Sequence, residues 1–563
     1  MERKKDIRLH QPTRESATRA ILEEHHIYTE FPDEVRAAAL TVPDRVRPSD
    51  LKGRADLRDW FTFTIDGDNS KDFDDAVSLT ENGDGTVTLG VHIADVGHYV
   101  KQGSALDREA FDRGTSVYFA DRVAPMLPVE LSNGICSLNP GVDRLTLSCI
   151  MTVDGSGHVA RYELLRSVIH SRERMTYHNC NLLLSGRADP ALAERYAAVT
   201  PVLRGLAALD IKLKALRRRR GALDLETRER YILCDAEGRP VEVLQKGAGQ
   251  SEGIIESMML LANETVAKHM TLNHLPGVFR IHEEPSEDKL NSLKQTLYPL
   301  GFTLKNGDHG SFQTLLKKSR GTPYQALISL LVLRTMMKAS YAPEDLGHYG
   351  LAADHYCHFT SPIRRYPDLM VNRVLTAALT GKATEAALKK LSNFCKTAAI
   401  QSSEREIAAM TAERDIEKLY LAEYMEAHVG ERFIGAVSGV TSFGLFLALP
   451  NGVEGLLPVR ALPDDYYIYN ESHMTLVGER TGRRYTYGME LPVLCAAANG
   501  GLGQVDFLLL DDEGNPIPPR DRREPRPGPK KKEKETPLEK ILHAKKHKGR
   551  CRPPKGRRRG KIR

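Results

Sequence analysis

The sequence predicts an α+β body followed by a small five-stranded β-barrel of the OB type and a disordered basic tail. Three observations carry this reading. Between residues 51 and about 425, short β-rich runs come first and long helical patterns later, the order of an α+β domain. After Gly430 short strands return at close spacing, with turn signals between them. From residue 513 onwards periodicity disappears and Pro, Lys and Arg dominate. At 563 residues, 41% hydrophobic and 27% charged, the chain is long enough for several domains with their own cores.

Residues 1–50 are polar and helix-forming, with ESATRAILEEHHI and DEVRAAAL as short amphipathic candidates separated by Pro32 and ended by Pro43. In the body, FTFTI, DAVSL, TVTLGVHIADV, LSCIMTV and HVARYELLRSVI read as strands, and residues 190–220 as a helix closed by four arginines and Gly221. ILCD and VEVLQ are further strands. Helices are expected over SEGIIESMMLLANETVAKHM, EDKLNSLKQTLYPLG, PYQALISLLVLRTMMKAS and YPDLMVNRVLTAAL, and throughout 384–428. The barrel, placed at 430–512, would be built from RFIGAVSGVT, FGLFLALP, VEGLLPV, RRYTY, ELPVLCAAA and QVDFLLL. In the tail, 513–563, only LEKILHAKKH suggests a short helix.

The formal charge of +6 averages two unlike parts. Residues 520–563 hold 20 Lys plus Arg against 5 Asp plus Glu, a balance of +15, which leaves −9 on the rest. No apolar run reaches the ~18 residues a membrane span needs, and the N-terminus has no secretory apolar stretch. Eight scattered cysteines without a CxxC pair favour buried thiols in a reducing cytoplasm over disulfides or zinc.

The most informative segment is FTFTIDGDNSKDFDDAVSL, which crowds Asp66, Asp68, Asp72, Asp74 and Asp75 into ten residues. Such crowding repels itself unless cations neutralise it. Asp66, Asp68, Ser70, Asp72 and Asp74 occupy the odd positions of a calcium loop, but Lys71 replaces the turn glycine and Val77 the bidentate glutamate. A magnesium hydrolase site is the stronger reading: paired ions can activate water and stabilise the leaving oxygen of a phosphodiester. A solvated acidic turn is the bland alternative. TSPIRRYPDL supplies Arg364 and Arg365 just before a helix start, suited to gripping phosphate oxygens or simply to solubility.

The segments TIDGDNSKDFDDAV, VHIADVGHYV, GTSVYFADRVAPMLP, LSNGICSLNP, ESMMLLANETVA, FRIHEEP, GHYGLA and HFTSPIRRYPDL together resemble the catalytic (RNB) domain of the ribonuclease II and ribonuclease R family, in order and spacing. The tail and the fuller motif agreement favour the ribonuclease R branch. The resemblance implies a processive, magnesium-dependent 3′ to 5′ exoribonuclease that releases nucleoside 5′-monophosphates. It assigns Asp66, Asp72, Asp74 and Asp75 to metal binding, with Asp74 also the most critical for chemistry, and Arg364 to the scissile phosphate, while Arg365 beside it is a candidate for substrate binding. It makes Tyr118 the ring that stacks on the terminal nucleotide, a sequence-tolerant contact. Tyr177 and Glu256 become candidates for reading the 2′-hydroxyl, and Glu413 a position near the active-site arginine.

FIGAVSGVTSFGLFLALPNGVEGLLPVRAL is similar to an S1 RNA-binding domain, with Phe443 and Phe446 on the RNA face. The tail lacks aromatics, so it would bind phosphates non-specifically, on structured RNA or the ribosome. The expected partner is RNA with a single-stranded 3′ end, bound by a monomer without membrane contact. The alternative is an inert RNA- or ribosome-binding protein, against which all four aspartates and Arg364 count. Three departures from the family pattern stand out: Asn372 where a His is usual, Ser257 where a second acid is common, and only fifty residues before the body, too few for two cold-shock domains.

Overall fold

The computed structural model describes residues 12–223, 228–247, 249–322, 324–463 and 465–518. The lead-in forms the two expected helices, α1 (Arg14–Glu24), capped by the Thr13 hydroxyl accepting from Ser16 N–H, and α2 (Asp33–Leu40), which starts after Pro32. Next come β1 (Ala55–Asp56), β2 (Phe63–Asp66), β3 (Asp75–Glu81) and β4 (Val87–Ala94). Two helices, α3 (Val96–Tyr99) and α4 (Ala105–Arg113), lead to a hairpin of β5 (Val117–Tyr118) and β6 (Val123–Ala124). β7 (Asp143–Val153), β8 (Val159–His170) and β9 (Glu173–Thr176) complete a seven-stranded sheet of order β1-β8-β7-β4-β3-β2-β9. The two short outer strands pair in parallel and the rest antiparallel.

A buried polar seam crosses this otherwise apolar sheet. His92 on β4 stands opposite Ser148 on β7, with Nδ1 2.7 Å from the Ser148 hydroxyl and Nε2 3.0 Å from Ser78 on β3. Ser148 continues to Ser167 at 2.6 Å, and Ser167 to Thr146 at 2.8 Å. Gly90 makes room, since a Cβ there would come within 2.4 Å of the Ser78 hydroxyl and 2.6 Å of His92 Nε2. A one-residue slip would strand every one of these groups among apolar neighbours, so the seam specifies register. Burial holds the His92 imidazole down at about 3, below its ordinary value of 6.5. The unfolded chain therefore binds a proton that the folded one refuses between those values, and stability falls as pH drops through that window. In urea titrations from pH 7 to 4, His92→Gln should flatten the acid limb by a few kcal/mol, on the order of 1.4 per pKa unit.

The helical part of the body begins with α5 (Tyr177–Leu184), α6 (Pro190–Arg195) and α7 (Val199–Arg220). The expected single helix over 190–220 is thus two, and α7 ends where predicted, on Gly221 at φ 118°. A hairpin of β10 (Arg228–Cys234) and β11 (Pro240–Gly247) leads to α8 (Gln250–Leu272), apolar on nearly all sides and buried accordingly. After β12 (Phe279–Ile281) come α9 (Glu287–Leu297), α10 (His309–Ser319) and α11 (Gln325–Thr335), which share a small core around Phe312 and Ile328. β13 (Ser340–Ala342) pairs with β12, and α12 (Tyr366–Leu379) and the 42-residue α13 (Glu385–Glu426) close the body. The main core lies between the sheet and α7, α8 and α12, around Phe63, Leu89, Ile93 and Met258.

β14 (Arg432–Val440), β15 (Gly444–Ala448) and β16 (Glu454–Pro458) close into a barrel with β20 (Glu490–Asn499) and β21 (Gln504–Leu509), in the order β14-β15-β16-β21-β20. The five strands expected are present, but RRYTY is not among them. It contributes β19 (Arg484–Tyr485) to a separate three-stranded sheet with β17 (Tyr467–Asn470) and β18 (Thr475–Gly478), inserted between β16 and β20. Asp465 organises that insertion by accepting from the backbone N–H groups of Tyr466, Arg480 and Thr481. Gly444 and Gly455 permit the barrel's bends: a Cβ would lie 2.4 Å from Leu457 O in one case and 2.4 Å from the Phe507 ring in the other. No helix among the described residues is long and apolar enough to cross a membrane. The seven described cysteines are free thiols. The tail and its predicted helix LEKILHAKKH lie outside the described residues.

Candidate active site

Four of the crowded aspartates meet because two neighbouring strands begin and end at the same edge of the sheet. Asp66 is the last residue of β2 and Asp75 the first of β3, while Asp72 and Asp74 stand on the connection. That connection is held from both sides. Arg174 on β9 donates to the carbonyls of Gly67 (2.8 Å) and Asp68 (2.7 Å), and its guanidinium lies over the Phe73 ring. Ser137 accepts from Phe73 N–H and donates to Lys71 O, and Leu138 N–H donates to Phe73 O. Phe73 is thereby buried, while Asp72 and Asp74 are carried to the site. Asp68 stays exposed in the turn.

The second wall is the segment before α12. Ile363 N–H donates to Asp74 Oδ1 at 2.8 Å, and Arg364 places Nε 3.7 Å from Asp74 Oδ2, with its side chain 48% exposed. The Arg364 carbonyl accepts from Ser116 N–H and the Thr115 hydroxyl, which ties this segment to the hairpin that carries Tyr118. Tyr118 donates its hydroxyl to Asp72 Oδ2 at 3.1 Å, and its N–H to Glu413 on α13 at 2.8 Å. Burial raises the Glu413 carboxyl.

Arg365, expected on the phosphate beside Arg364, turns inward instead. It pairs with Asp368 at 2.8 Å, and Asp368 also accepts from Ser361 N–H at 2.7 Å. Adjacent residues entering a helix point in different directions, so one arginine faces the site and the other anchors the segment. Tyr177, first residue of α5, lies within the field of the cluster: its hydroxyl is pushed up by burial and by the charges of Asp75, Asp66 and Glu252. Glu256 is exposed on an otherwise buried stretch of α8, one turn beyond Glu252. Glu252 was not foreseen; it accepts from Asn181 and from the Ser251 hydroxyl. Ser257, where the family pattern often has a second acid, donates its hydroxyl to Asp210, which pairs with Lys214, while Arg217 donates to Ser257. Asn372 is buried, and nothing in the structure explains its replacing a His.

The electrostatics are those of a site built for cations. Burial pushes the Asp66 carboxyl up to about 8 and the Asp75 carboxyl up to about 6, with the charges of Asp75 and Asp72 adding to the rise at Asp66. Asp74 is driven well above its ordinary range by burial, against the pull of Arg364 and Ile363 N–H. Asp66 Oδ2 and Asp74 Oδ2 are buried without a hydrogen-bond partner. Among the described residues no three acidic, histidine or cysteine side chains are already gathered tightly enough to hold a metal ion, as like charges standing apart would be. The donor set nevertheless fits a hard cation such as magnesium: it is all oxygen, and two of its buried oxygens lack any other partner.

The family described as RNB domain matches residues 54–381, which include every residue of this site except Glu413. The chain belongs to the RNB family. Beyond the RNB domain, the S1 RNA binding domain matches residues 426–493, from the end of α13 through the barrel's first three strands and the inserted sheet into β20. There Phe443 is 55% exposed, and Phe446 meets it edge-on with ring centroids 6.0 Å apart. Ribonuclease R 1 of Lactococcus lactis is 43% identical over 497 residues, 88% of this chain and 61% of its own length. Ribonuclease R of Thermotoga maritima is 43% identical over 491 residues, 86% of this chain and 69% of its own. Among solved structures, Mycoplasma genitalium RNase R in complex with ribose methylated single-stranded RNA superposes with a TM-score of 0.82 at 30% identity, over 88% of this chain and 78% of that one. This RNB protein thus spans under two thirds of the Lactococcus relative.

Proposed function

We propose that the chain is a processive 3′ to 5′ exoribonuclease that hydrolyses RNA to nucleoside 5′-monophosphates, with Mg2+ held by Asp66, Asp72, Asp74 and Asp75. The observation that carries this reading is the convergence of four aspartates, two with unpartnered buried oxygens, on an arginine 3.7 Å from Asp74. Bound divalent ions would supply an activated water and charge stabilisation for the leaving 3′-oxygen. In the cleavage, the water oxygen bonds to phosphorus and the bond from phosphorus to the 3′-oxygen breaks, leaving a 3′-hydroxyl on the shortened strand. Arg364, half-exposed at the mouth, grips the scissile phosphate. Tyr118, fixed by Asp72 and Glu413, offers its ring to the last base. Tyr177 and Glu256 read the 2′-hydroxyl. Phe443 and Phe446 stack on the incoming strand, and the basic tail adds phosphate contacts, on the ribosome or on structured RNA. The free thiols favour a cytoplasmic protein.

Direction is tested with one RNA labelled at either end. The 3′ label should leave first as a 5′-mononucleotide, and the 5′ label should run as a descending ladder. Early internal fragments would overturn the reading, and DNA of the same sequence should persist.

Metal binding has its own signature. In the metal-free protein, Asp66 and Asp75 hold protons that the unfolded chain releases, so their stabilising contribution is full below pH 3.8 and is lost as pH rises through about 6 and about 8. Magnesium displaces those protons, and its stabilisation should grow over the same window, to about 2.7 kcal/mol when the ion is at roughly 100 times its Kd. Thermal melts with and without Mg2+ should differ more at pH 8 than at pH 5. An equal shift at both would contradict metal binding at these carboxylates.

A further inference from the structure

We propose that the groove opening at Tyr118 and Asn69 binds the released nucleoside 5′-monophosphate and carries it away from the carboxylates. The inference deepens the exoribonuclease reading and rests on it. A processive enzyme keeps hold of its strand while the terminal nucleotide departs, so the entry path stays filled and the product needs another way out. The groove has a volume of about 930 Å3 and is lined by Asn69, by Tyr118 of the hairpin, by β10 and by α13. Asn69 lies in the turn between Asp66 and Asp72, and Tyr118 donates to Asp72, so the groove borders the carboxylates. Its volume falls within the roughly 300–1,000 Å3 usual for small-molecule sites.

The walls carry the two chemistries a mononucleotide needs. Apolar surface for a base comes from Tyr231 and Leu233 on β10, 46% and 45% exposed, and from Met410 on α13, 61% exposed. Charge for a phosphate comes from Arg414, whose side chain is 65% exposed and whose ion pair with Asp415 is long, at 3.7 Å. The other charged groups of the groove are committed. Glu413 accepts from Tyr118 N–H, and Arg230 is held by Glu417 and by Gly452 O. A phosphate dianion is therefore repelled by the aspartates behind it and drawn towards Arg414.

The test uses the full chain with Mg2+, a 5′-labelled oligoadenylate as substrate, and AMP as the probe. AMP should inhibit the wild type. In Arg414→Ala and Tyr231→Ala its inhibition constant should rise about tenfold, the loss of one charge-assisted or stacking contact, while the single-turnover rate of the first cleavage is unchanged. Arg414→Lys should recover part of the loss. The groove is excluded as product site if AMP fails to inhibit, or inhibits these variants as it does the wild type. Equilibrium dialysis of AMP with wild type and Arg414→Ala separates the two readings: should the wild type leave RNA intact, the exoribonuclease reading fails, and weaker AMP binding by the variant still decides the groove.

Discussion

Asp74→Asn should abolish hydrolysis, by about 10³-fold or more, while RNA binding stays within about twofold. Asp74 is 4% exposed, and its two oxygens have separate duties. Oδ1 accepts from Ile363 N–H, and Oδ2 faces Arg364 without a hydrogen bond. Asparagine retains the first acceptor, so the backbone has no reason to move. It removes the charge that a cation needs and directs an amide donor towards the guanidinium. Burial, with the charges of Asp72 and Asp75 adding to it, drives the Asp74 carboxyl upward, so the same substitution should raise the metal-free melting temperature. A gain in stability together with a loss of chemistry would show that the carboxylate is retained for function. Activity within tenfold of wild type would contradict its assignment.

The second large effect is expected at Asp368, which touches neither metal nor substrate. It is fully buried, neutralises Arg365 and accepts from Ser361 N–H, thereby fixing the segment that presents Ile363 N–H and Arg364 to Asp74. Asp368→Ala would leave a buried guanidinium unpaired, at a cost of about 3–5 kcal/mol in denaturant titrations. The double variant Arg365→Met, Asp368→Leu removes the stranded charge and should recover most of the stability. It leaves Ser361 N–H unsatisfied and the segment loose, so hydrolysis should remain impaired, with kcat lowered more than KM is raised. Recovery of kcat along with stability would reduce Asp368 to a packing role.

The aspartates were legible because all four lie on one connection and the strand ends it joins, where spacing in sequence is spacing in space. Arg364 was legible through its motif, but the turn of Arg365 away from the site to Asp368 was not, because that depends on how the backbone enters α12. Arg174 and Ser137 escaped notice for another reason. Each is a single polar residue in an ordinary strand or loop, and its role exists only once β9 lies beside β2 and residue 137 beside residue 73. Glu252 was hidden behind Glu256, one turn away on the same face of α8. In the barrel, RRYTY has the composition of a barrel strand, but Asp465 draws the turn just before it into the inserted sheet. α10 passed unread because HGSFQTLLKKS is short and carries Gly310 in its first turn.

On the proposed function, these carboxylates hydrolyse RNA from its 3′ end when magnesium is present. A time course with 5′-labelled RNA carrying a single-stranded 3′ end, run with Mg2+ and again with an excess of chelator, tests it most directly. Stepwise shortening is expected in the first reaction and full-length RNA in the second. Intact RNA with Mg2+, under conditions where the same RNA is bound, would contradict it.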